Sequence, residues 1–391
     1  MTTPLDELWR PVAPPDEQEA AAIRAERVRV REFLAGSLDR GLFAPRCDSW
    51  LGGFSPEFSK ALAVRGWIGM TWPRRYGGRA ASNLLRQAVV EELLAAGAPV
   101  AAHWFADRQV GPGLLRYGSE EQRDRLLPAM ARGELYVAIG MSEPDSGSDL
   151  ASVRTRARQV AGGWRVTGTK VWTSHAHRSH LMLTLVRTAA PDPGSRHAGF
   201  SQLLVDLSAP GVTVNPIPYL DGGHHFNEVV LDDVFVSDGM VVGTPGQGWT
   251  QVTAELAHER SGPERYLSTF PLLERMSAAL AGGGDEVGGV LGRAYARLWV
   301  LRQMSTGVAR SIDAGTASSL VTALVKDMGT RLENEIVDEA RRWRPSAPAP
   351  DAPDGYDRLL AQAQLHAPGF TLRGGTSEIL RGLVARAIGM R

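Results

Sequence analysis

Cysteine and long apolar runs are nearly absent from this chain of 391 residues. The single cysteine, Cys47, cannot form a disulfide within the chain, which excludes a disulfide-stapled secreted fold and indicates a reducing compartment. No apolar run is long enough to cross a bilayer, and the first residues lack the basic-then-apolar order of a signal peptide. We therefore expect a cytoplasmic globular protein with no membrane partner.

An excess of charge of either sign is also missing, because 43 Lys and Arg residues balance 43 Asp and Glu residues. A balanced chain offers no broad basic surface, so nucleic acid is not expected as a partner. Lysine is rare, with Lys60, Lys170 and Lys326 standing among many arginines. The length suits two or three packed units.

The hydrophobic period changes twice along the chain. It is helical over residues 1–134, strand-like over 135–243 and helical again over 244–391, where a proline-rich linker interrupts it at about 344–355. These three blocks are the predicted domains. The predicted helices are 20–35, 56–64, 82–96, 120–131, 249–260, 270–281, 291–314, 317–342 and one from about 376, and the main strands are 181–186, 201–206 and 229–236.

Two short segments of the middle block carry the strongest functional signal. Met141–Leu150 reads MSEPDSGSDL, a turn after an apolar strand, and Gly168–Ser174 reads GTKVWTS, a short alternating strand. The turn offers the hydroxyls of Ser142 and Ser148, and the strand offers the aromatic face of Trp172. A flat redox ring needs such a face together with hydrogen-bonding groups at its edge. The two segments therefore favour a site for a redox ring.

Three more motifs follow in a consistent order: WPRRYGG at Trp72–Gly78, GQGW at Gly246–Trp249 and GTSEI at Gly375–Ile379. With these five segments the chain resembles the acyl-CoA dehydrogenases, a flavoprotein family, over most of its length. The resemblance implies an α+β fold with an N-terminal helical domain, a central β-barrel-like domain and a C-terminal four-helix-bundle domain. It also implies FAD as cofactor, bound between the central domain and the last bundle.

The resemblance implies which residues meet FAD. They belong to the turn, to the strand and to the start of the last helix: Met141, Ser142, Gly147, Ser148, Trp172, Ser174, Thr376 and Glu378. Trp172 is expected against the ring face and Ser174 near the nitrogen that receives hydride. At the last helix, unpaired N–H groups and the helix dipole favour anionic parts of a cofactor.

The catalytic base departs from the commonest family pattern. Many members carry a glutamate directly before the Gly-Thr pair of the last helix, where this chain has Gly374. The resemblance implies that the Gly374 backbone N–H still polarises a thioester carbonyl. A minority of relatives carry the base on the helix after the Gly-Trp pair, which makes Glu259 the candidate for removing the α-proton. Glu255, one turn earlier on the same face, is the alternative base.

The resemblance also implies partners. The substrate would be an acyl-CoA or acyl-carrier thioester near Ser148, Arg260 and Arg386, and the acceptor an electron-transfer flavoprotein. Residues 265–273 and 344–355 lack motifs with which many relatives bind the flavin of a neighbouring subunit. A homodimer, a homotetramer and a mixed assembly with a related subunit therefore all stay open.

Three functions fit these observations. The first is FAD-dependent α,β-dehydrogenation of an acyl-CoA thioester to a trans-2-enoyl-CoA. The second is a flavin monooxygenase or oxidase on the same fold, acting on an amine, a nitro compound or a carrier-bound substrate. The third is a non-catalytic partner subunit, which the missing carboxylate at Gly374 favours and the intact turn and strand oppose. A metal site is not expected, since His224, His225 and His258 have no carboxylate or cysteine at ligand spacing.

Overall fold

A computed structural model describes residues 14–190, 194–344, 347, 349–353 and 355–390, while the side chains of residues 255–259 lie outside its description. Over these ranges helices come first, strands follow, and helices return, as the sequence predicts. The α-helices before the strands are α1 (Glu17–Asp39), α2 (Ser49–Gly52), α3 (Pro56–Val64), α4 (Asn83–Ala95), α5 (Ala101–Phe105), α6 (Gly111–Tyr117) and α7 (Glu120–Ala131), with a π-helical turn at Ala106–Val110 between α5 and α6.

Side-chain caps explain where several of these helices begin. Ser119 forms a full capping box with Gln122 at the start of α7, and Ser55 and Ser82 cap α3 and α4. The predicted bounds of α3 and α7 are confirmed. The short helices α2, α5 and α6 were not predicted, because they are largely buried and lack the alternation of polar and apolar faces on which the prediction depends.

The middle of the chain forms one sheet of eight described strands. They are β1 (Val137–Gly140), β2 (Arg156–Val160), β3 (Gly163–Ser174), β4 (Leu181–Arg187), β5 (Phe200–Asp206), β6 (Val212–Pro216), β7 (Phe226–Ser237) and β8 (Val241–Val242). Their order is β6-β7-β3-β2-β4-β5-β8, and β1 pairs with β4 in parallel. The first six residues of β4 and of β5 are all buried, so both faces of these strands are covered, and their sequences are mostly apolar.

The helices after the strands are α8 (Gly248–Glu259), α9 (Phe270–Ala279), α10 (Gly284–Asp313), α11 (Ser319–Trp343), α12 (Gly355–Phe370) and α13 (Ser377–Ala387). Two sequence interpretations need correction. The predicted helix 291–314 begins too late, because α10 starts at Gly284 and includes most of the glycine-rich stretch 282–289. Helix α12 was not predicted; it follows the predicted proline-rich linker and contains Pro368, a residue type that usually interrupts a helix. Part of that stretch lies outside the described residues.

The chain divides into two compact units. The sheet unit comprises Ser55–Ala80 and Ala101–Leu256, and the helical unit comprises the described residues of Met1–Phe54, Ala81–Val100 and Ala257–Arg391. The sheet unit encloses apolar clusters on both sides of β4 and β5. The three-domain division drawn from the sequence stays a prediction.

Helix α11 is the centre of the helical unit, where it packs against α9, α10, α12 and α13. Gly329 on this helix allows an especially close approach. A Cβ atom at position 329 would overlap the backbone carbonyl oxygen of Arg265 and lie 3.3 Å from the Cβ atom of Tyr266. Because backbone cannot move aside as a side-chain tip can, a glycine is required at this position.

We expect Gly329→Ala to lower the free energy of unfolding by about 2 kcal/mol, because the added methyl group must displace the turn at Arg265. Gly292 in α10 is the matched control, since no atom lies within 4 Å of its absent Cβ. Gly292→Ala should stabilise by about 0.5 kcal/mol through helix propensity alone. Urea unfolding measures both, and equal effects at the two positions would contradict this account of the packing.

Candidate functional site

The predicted turn and strand of the sheet unit lie side by side. The backbone N–H of Val171 in β3 donates a 2.9 Å hydrogen bond to the carbonyl oxygen of Ser142, directly after β1. Met141 and Ser142 are half-buried there. The structure thus brings Met141 and Ser142 next to the strand that carries Trp172, although they are about 30 residues apart in sequence.

Trp172 stands on an irregularity in β3. Lys170 pairs with Val229 of β7 and Thr173 pairs with Asn227, so two β3 residues face one β7 residue between these pairs. Trp172 takes a left-handed backbone conformation with φ of 59° and leaves 57% of its surface exposed. A bulge of this kind re-aims a side chain, and a bulky residue at positive φ is strained in a way that is found most often at functional sites.

The surroundings of Trp172 fit a flat ring. Its indole packs edge-on against Phe226 at 5.8 Å between centroids, so its position is held from one side. Ser174, at the end of β3, is buried, and Ser148 is exposed on the turn. No atom lies within 4 Å of the absent Cβ of Gly147, which leaves room beside the turn. An open aromatic face, on a strand and beside a turn that both carry hydroxyls, offers groups of the kind that a flavin site uses.

A buried ion pair holds the turn on the strand. The Lys170 ammonium is fully buried and lies 2.9 Å from the Glu143 carboxylate, and it also donates to the carbonyl oxygen of Met141 at 3.1 Å. The other acceptor positions of Glu143 are used by the backbone N–H groups of Arg154 at 2.6 Å and Thr155 at 2.8 Å. One carboxylate therefore joins both ends of the turn to β3.

The charges of this pair survive burial. Desolvation lowers the pKa of Lys170 to about 8, which still leaves the ammonium form predominant at neutral pH. Burial alone would raise the pKa of Glu143, but Lys170 and the hydrogen bonds to the carboxylate hold it below its ordinary value. The pair is thus ionised, and each partner needs the other.

The helical unit carries a candidate site of its own, at the turn before α13. Gly374 and Gly375 have φ angles of 69° and 94°, a backbone conformation that favours glycine. The fully buried Lys326 ammonium donates to three carbonyl groups of this turn, most closely to Gly375 at 2.8 Å, and to Thr371 and Phe370 at 3.4 and 3.5 Å. These bonds fix the backbone from which the Gly374 N–H projects.

A second contact anchors the same turn. The Arg373 guanidinium forms a two-pronged ion pair with the buried Asp48 carboxylate, at 2.6 and 2.7 Å, and His366 lies 3.1 Å from that carboxylate. Although burial opposes ionisation, Arg373 and His366 hold the pKa of Asp48 well below its ordinary range. The Arg373 guanidinium also lies 4.6 Å from the ring centre of Trp50.

The other predicted residues of the helical unit are divided between two places. Thr376 caps α13, its side chain accepting from the Ile379 N–H at 3.4 Å, and Glu378 is exposed in the first turn. Arg260 is buried, with its guanidinium near Gly375. Arg386 is exposed near the other end of α13, about 15 Å along the helix from Thr376.

The candidate bases lie at the end of α8, and only the backbone of this segment is described. Glu259 is the last residue of the helix, and Glu255 precedes it by one turn. Their side chains lie outside the described residues, so both base assignments stay predictions.

Glu333 is a buried acid whose carboxyl group interacts electrostatically with Arg373, the residue that anchors the turn before α13. It is fully buried in α11 and accepts the backbone N–H of Ser268 at 2.8 Å. Burial raises the pKa of Glu333 to about 7, against the opposing effects of Arg373 and of the hydrogen bond from Ser268. Its protonation in the folded protein therefore changes near neutral pH.

The histidines of the sheet unit gather without forming a metal centre. Ring centres of His177 and His224 lie 4.8 Å apart, and those of His175 and His225 lie 5.6 Å apart. Across the described part of the chain, His, Cys, Asp and Glu side chains nowhere form a group of three that could hold a metal ion. Among the described helices, none has the length and apolar character needed to cross a membrane.

Sequence reasoning missed the residues that hold the two turns. Lys170 and Lys326 were noted only for their rarity, yet they are the two fully buried lysines, whereas Lys60 is exposed. Retention of lysine among so many arginines was the available signal. A compact ammonium with three donors fits converging carbonyl groups better than a planar guanidinium does. For the roles of Arg265 and Arg373 the sequence carried no local signal.

Comparison with known proteins identifies a family. The profile described as "Acyl-CoA dehydrogenase, N-terminal domain" matches residues 18–134, the middle-domain profile matches 138–234, and the C-terminal-domain profile matches 284–389. Together they cover far more than half of the chain. Acyl-CoA dehydrogenases are FAD-dependent oxidoreductases.

Individual relatives are similar to this chain over almost its full length. The acyl-CoA dehydrogenase IpdE1 of Mycobacterium tuberculosis is 34% identical over 384 residues, which cover 93% of this chain and 96% of that protein. Two solved structures, the ChsE4-ChsE5 complex of M. tuberculosis and the Tcur3481-Tcur3483 steroid ACAD, each share 27% identity with a TM-score of 0.81, covering 97% of this chain and 99% of the matched chain.

We expect Lys170→Met to lower the free energy of unfolding by about 3 kcal/mol, since it leaves the buried Glu143 carboxylate unpaired. The purified variant should also carry less FAD per chain, because the turn loses its anchor. Lys60→Met makes the same chemical change at an exposed position and should alter stability by less than about 0.5 kcal/mol. Urea unfolding and visible absorbance test both variants, and full FAD content in Lys170→Met would contradict the anchoring role.

Glu333 should make stability fall between about pH 4.5 and 7. The folded state keeps the Glu333 proton up to about pH 7, whereas the unfolded chain loses it near 4.5, so rising pH favours unfolding across this window. Glu333→Gln, which keeps an oxygen acceptor for Ser268, should remove this loss and be more stable than wild type at pH 8 by about 3 kcal/mol.

The control for this pH dependence is Glu335→Gln, an exposed carboxylate on the same helix that pairs with Arg297. Urea unfolding at a series of pH values compares the two variants with wild type. If the free energies of unfolding of Glu333→Gln and wild type differ by the same amount at every pH from 4.5 to 8, Glu333 does not titrate in this window.

Proposed function

The chain belongs to the acyl-CoA dehydrogenase family, and from this premise we propose that it catalyses α,β-dehydrogenation of an acyl-CoA thioester to a trans-2-enoyl-CoA. Membership makes it an FAD-dependent oxidoreductase. The observation that carries the proposal is the paired turn and strand, in which a buried ion pair holds Met141 and Ser142 beside the exposed, strained Trp172. Such strain persists only where the surrounding structure over-determines it.

The proposed reaction breaks two C–H bonds of the acyl group. When bound, FAD supplies the acceptor for the hydride that leaves the β-carbon. The Gly374 N–H donates to the thioester carbonyl oxygen and stabilises the negative charge that develops when the α-proton leaves. The Lys326 ammonium, bonded to the carbonyl groups of the same turn, keeps that N–H in place.

Glu259 is our proposed base, and its carboxylate takes the α-proton. The residue ends α8 directly before the buried Arg260, whose guanidinium approaches Gly375 in the turn before α13. Glu259 is therefore the sequence neighbour of a residue that approaches the turn of the proposed carbonyl site. Glu255 remains the alternative base.

For the acyl group we propose a bulky, polycyclic carboxylic acid of the steroid type. The support is the similarity to a structure described as a steroid ACAD, at 27% identity over nearly the whole chain. Ser148, Arg260 and Arg386 are proposed contacts of the thioester and its coenzyme A.

We further propose a mixed assembly with a related subunit and an electron-transfer flavoprotein as acceptor. The matched ChsE4-ChsE5 and Tcur3481-Tcur3483 structures are each described by two protein names. An alternative function, a non-catalytic partner subunit in such an assembly, is favoured by the missing carboxylate at Gly374. Bound FAD that a thioester bleaches without any partner present would reject this alternative.

The direct test is an anaerobic titration of the purified protein with acyl-CoA thioesters that range from short straight chains to steroid side-chain acids. Bleaching of the flavin band by the bulky thioesters supports the full proposal. Bleaching by straight chains alone rejects the substrate class. Oxygen consumption with an amine or nitro compound, and no bleaching by any thioester, would favour a flavin oxidase or monooxygenase instead.

Glu259→Gln should slow thioester-dependent flavin reduction by at least about 100-fold while FAD stays bound, because the amide cannot accept the α-proton. Glu255→Gln is the matched control, one turn away on the same helix, and should lose less than about tenfold. Stopped-flow absorbance under anaerobic conditions measures both rates. The reverse order of effects would assign the base to Glu255.

A further inference from the structure

We propose that Arg265 decides where the base of this protein stands, by occupying the space that a side chain at position 374 would need. The inference rests on the proposed function for its chemical meaning, whereas its geometric part stands on the helical unit alone. With Arg265 in this space, a glutamate base cannot stand at position 374, as it does in many relatives. The base must then come from another element, which we propose is α8.

The contact is direct. A Cβ atom placed on Gly374 would lie 2.6 Å from Nη2 of Arg265, 2.9 Å from Cζ and 3.0 Å from Nη1. All three atoms belong to the guanidinium, so the planar end of Arg265 covers the point where the side chain of residue 374 would begin. Carbon atoms in proteins essentially never approach such groups this closely.

Arg265 has little freedom to move aside. Its side chain is 1% exposed, and the guanidinium lies 5.2 Å from the ring centre of Trp50, with Nε 3.4 Å from a carboxylate oxygen of Glu264. Its backbone carbonyl packs against Gly329 of α11 without room for a Cβ atom. A displaced guanidinium would have to leave both the aromatic face and the carboxylate within a close-packed interior.

Charge adds a second obstacle to the steric one. If a glutamate did fit at 374, its carboxylate would meet the Arg265 guanidinium at the base of its own side chain. A cation at that distance lowers a carboxylate pKa by roughly 1 to 3 units. A general base needs a pKa near the working pH, so the paired carboxylate would be a poor acceptor for an α-proton.

The test is a double-mutant cycle that needs no substrate. Arg265→Gln is the informative change, because its amide nitrogen takes the place of Nε, which lies 3.4 Å from the Glu264 carboxylate, while Cζ, Nη1 and Nη2 are removed. Gly374→Ala should lower the Tm by about 4 °C or more in the wild-type background, from the clash together with the positive φ. In the Arg265→Gln background at least half of that loss should disappear.

Gly375→Ala is the matched control. It also imposes a positive φ on a non-glycine residue, but its Cβ atom would meet Arg260 at 3.4 Å and not Arg265. Its Tm loss should be the same with and without Arg265→Gln. Equal losses for Gly374→Ala in both backgrounds would overturn the proposal, as would a Gly374→Ala protein that is folded and as stable as wild type.

Folding failures are also informative. If Gly374→Ala yields no folded protein, recovery of folding by Arg265→Gln or Arg265→Met supports the proposal. Failure of every Gly374→Ala combination, with Gly375→Ala folded, would overturn it, because strain at 374 would then be independent of Arg265.

An activity measurement separates this inference from the proposed function. In a Glu259→Gln background, Gly374→Glu should fail to restore flavin bleaching by a thioester while Arg265 is present, and restoration would overturn the inference. A wild-type protein that no thioester bleaches would reject the proposed function, yet the stability cycle would still decide whether Arg265 occupies the side-chain space of residue 374.

Discussion

A buried ammonium group must be surrounded by acceptors, and this requirement shapes two turns that carry candidate site residues, one in each unit. Lys170 and Lys326 are fully buried; Lys170 ends on the Glu143 carboxylate and the Met141 carbonyl oxygen of one turn, and Lys326 ends on the carbonyl oxygens of the other. Leaving such a charge unsatisfied costs several kcal/mol, so the turn cannot take another conformation without losing stability. The two lysines thereby hold the backbone of each turn in one conformation.

Several buried cationic side chains lie close to the turn before α13, and they affect which charged groups this turn can stabilise. Arg260, Arg265 and Lys326 all bring cationic groups close to Gly374 or Gly375, and each is buried. The helix dipole of α13 adds a partial positive charge at the same point. An environment of this sign would stabilise a developing oxyanion and weaken a carboxylate base, which agrees with the proposal that the base stands on α8 and not at position 374.

Local signals in the sequence predicted much of the scaffold. The hydrophobic period predicted α3 and α7 with the bounds that the structure has, and it predicted strands at 181–186 and 201–206, where β4 and β5 lie. Helices α5 and α12 escaped prediction because one is buried all round and the other follows a proline-rich stretch. Helix prediction from sequence depends on a regular alternation of polar and apolar residues and on clear capping residues at the ends, and these two segments have little of either.

By itself the sequence determined the family and the FAD chemistry, and it predicted the short segments that would meet the cofactor, because these depend on residue types at fixed spacing along the chain. Only the tertiary structure decided what holds those segments in place and what position 374 can carry. Arg265 and Gly374 are more than 100 residues apart, and no periodicity or motif couples them. Their contact exists because α11 and the turn at Arg265 pack at backbone distance, which only the folded chain creates.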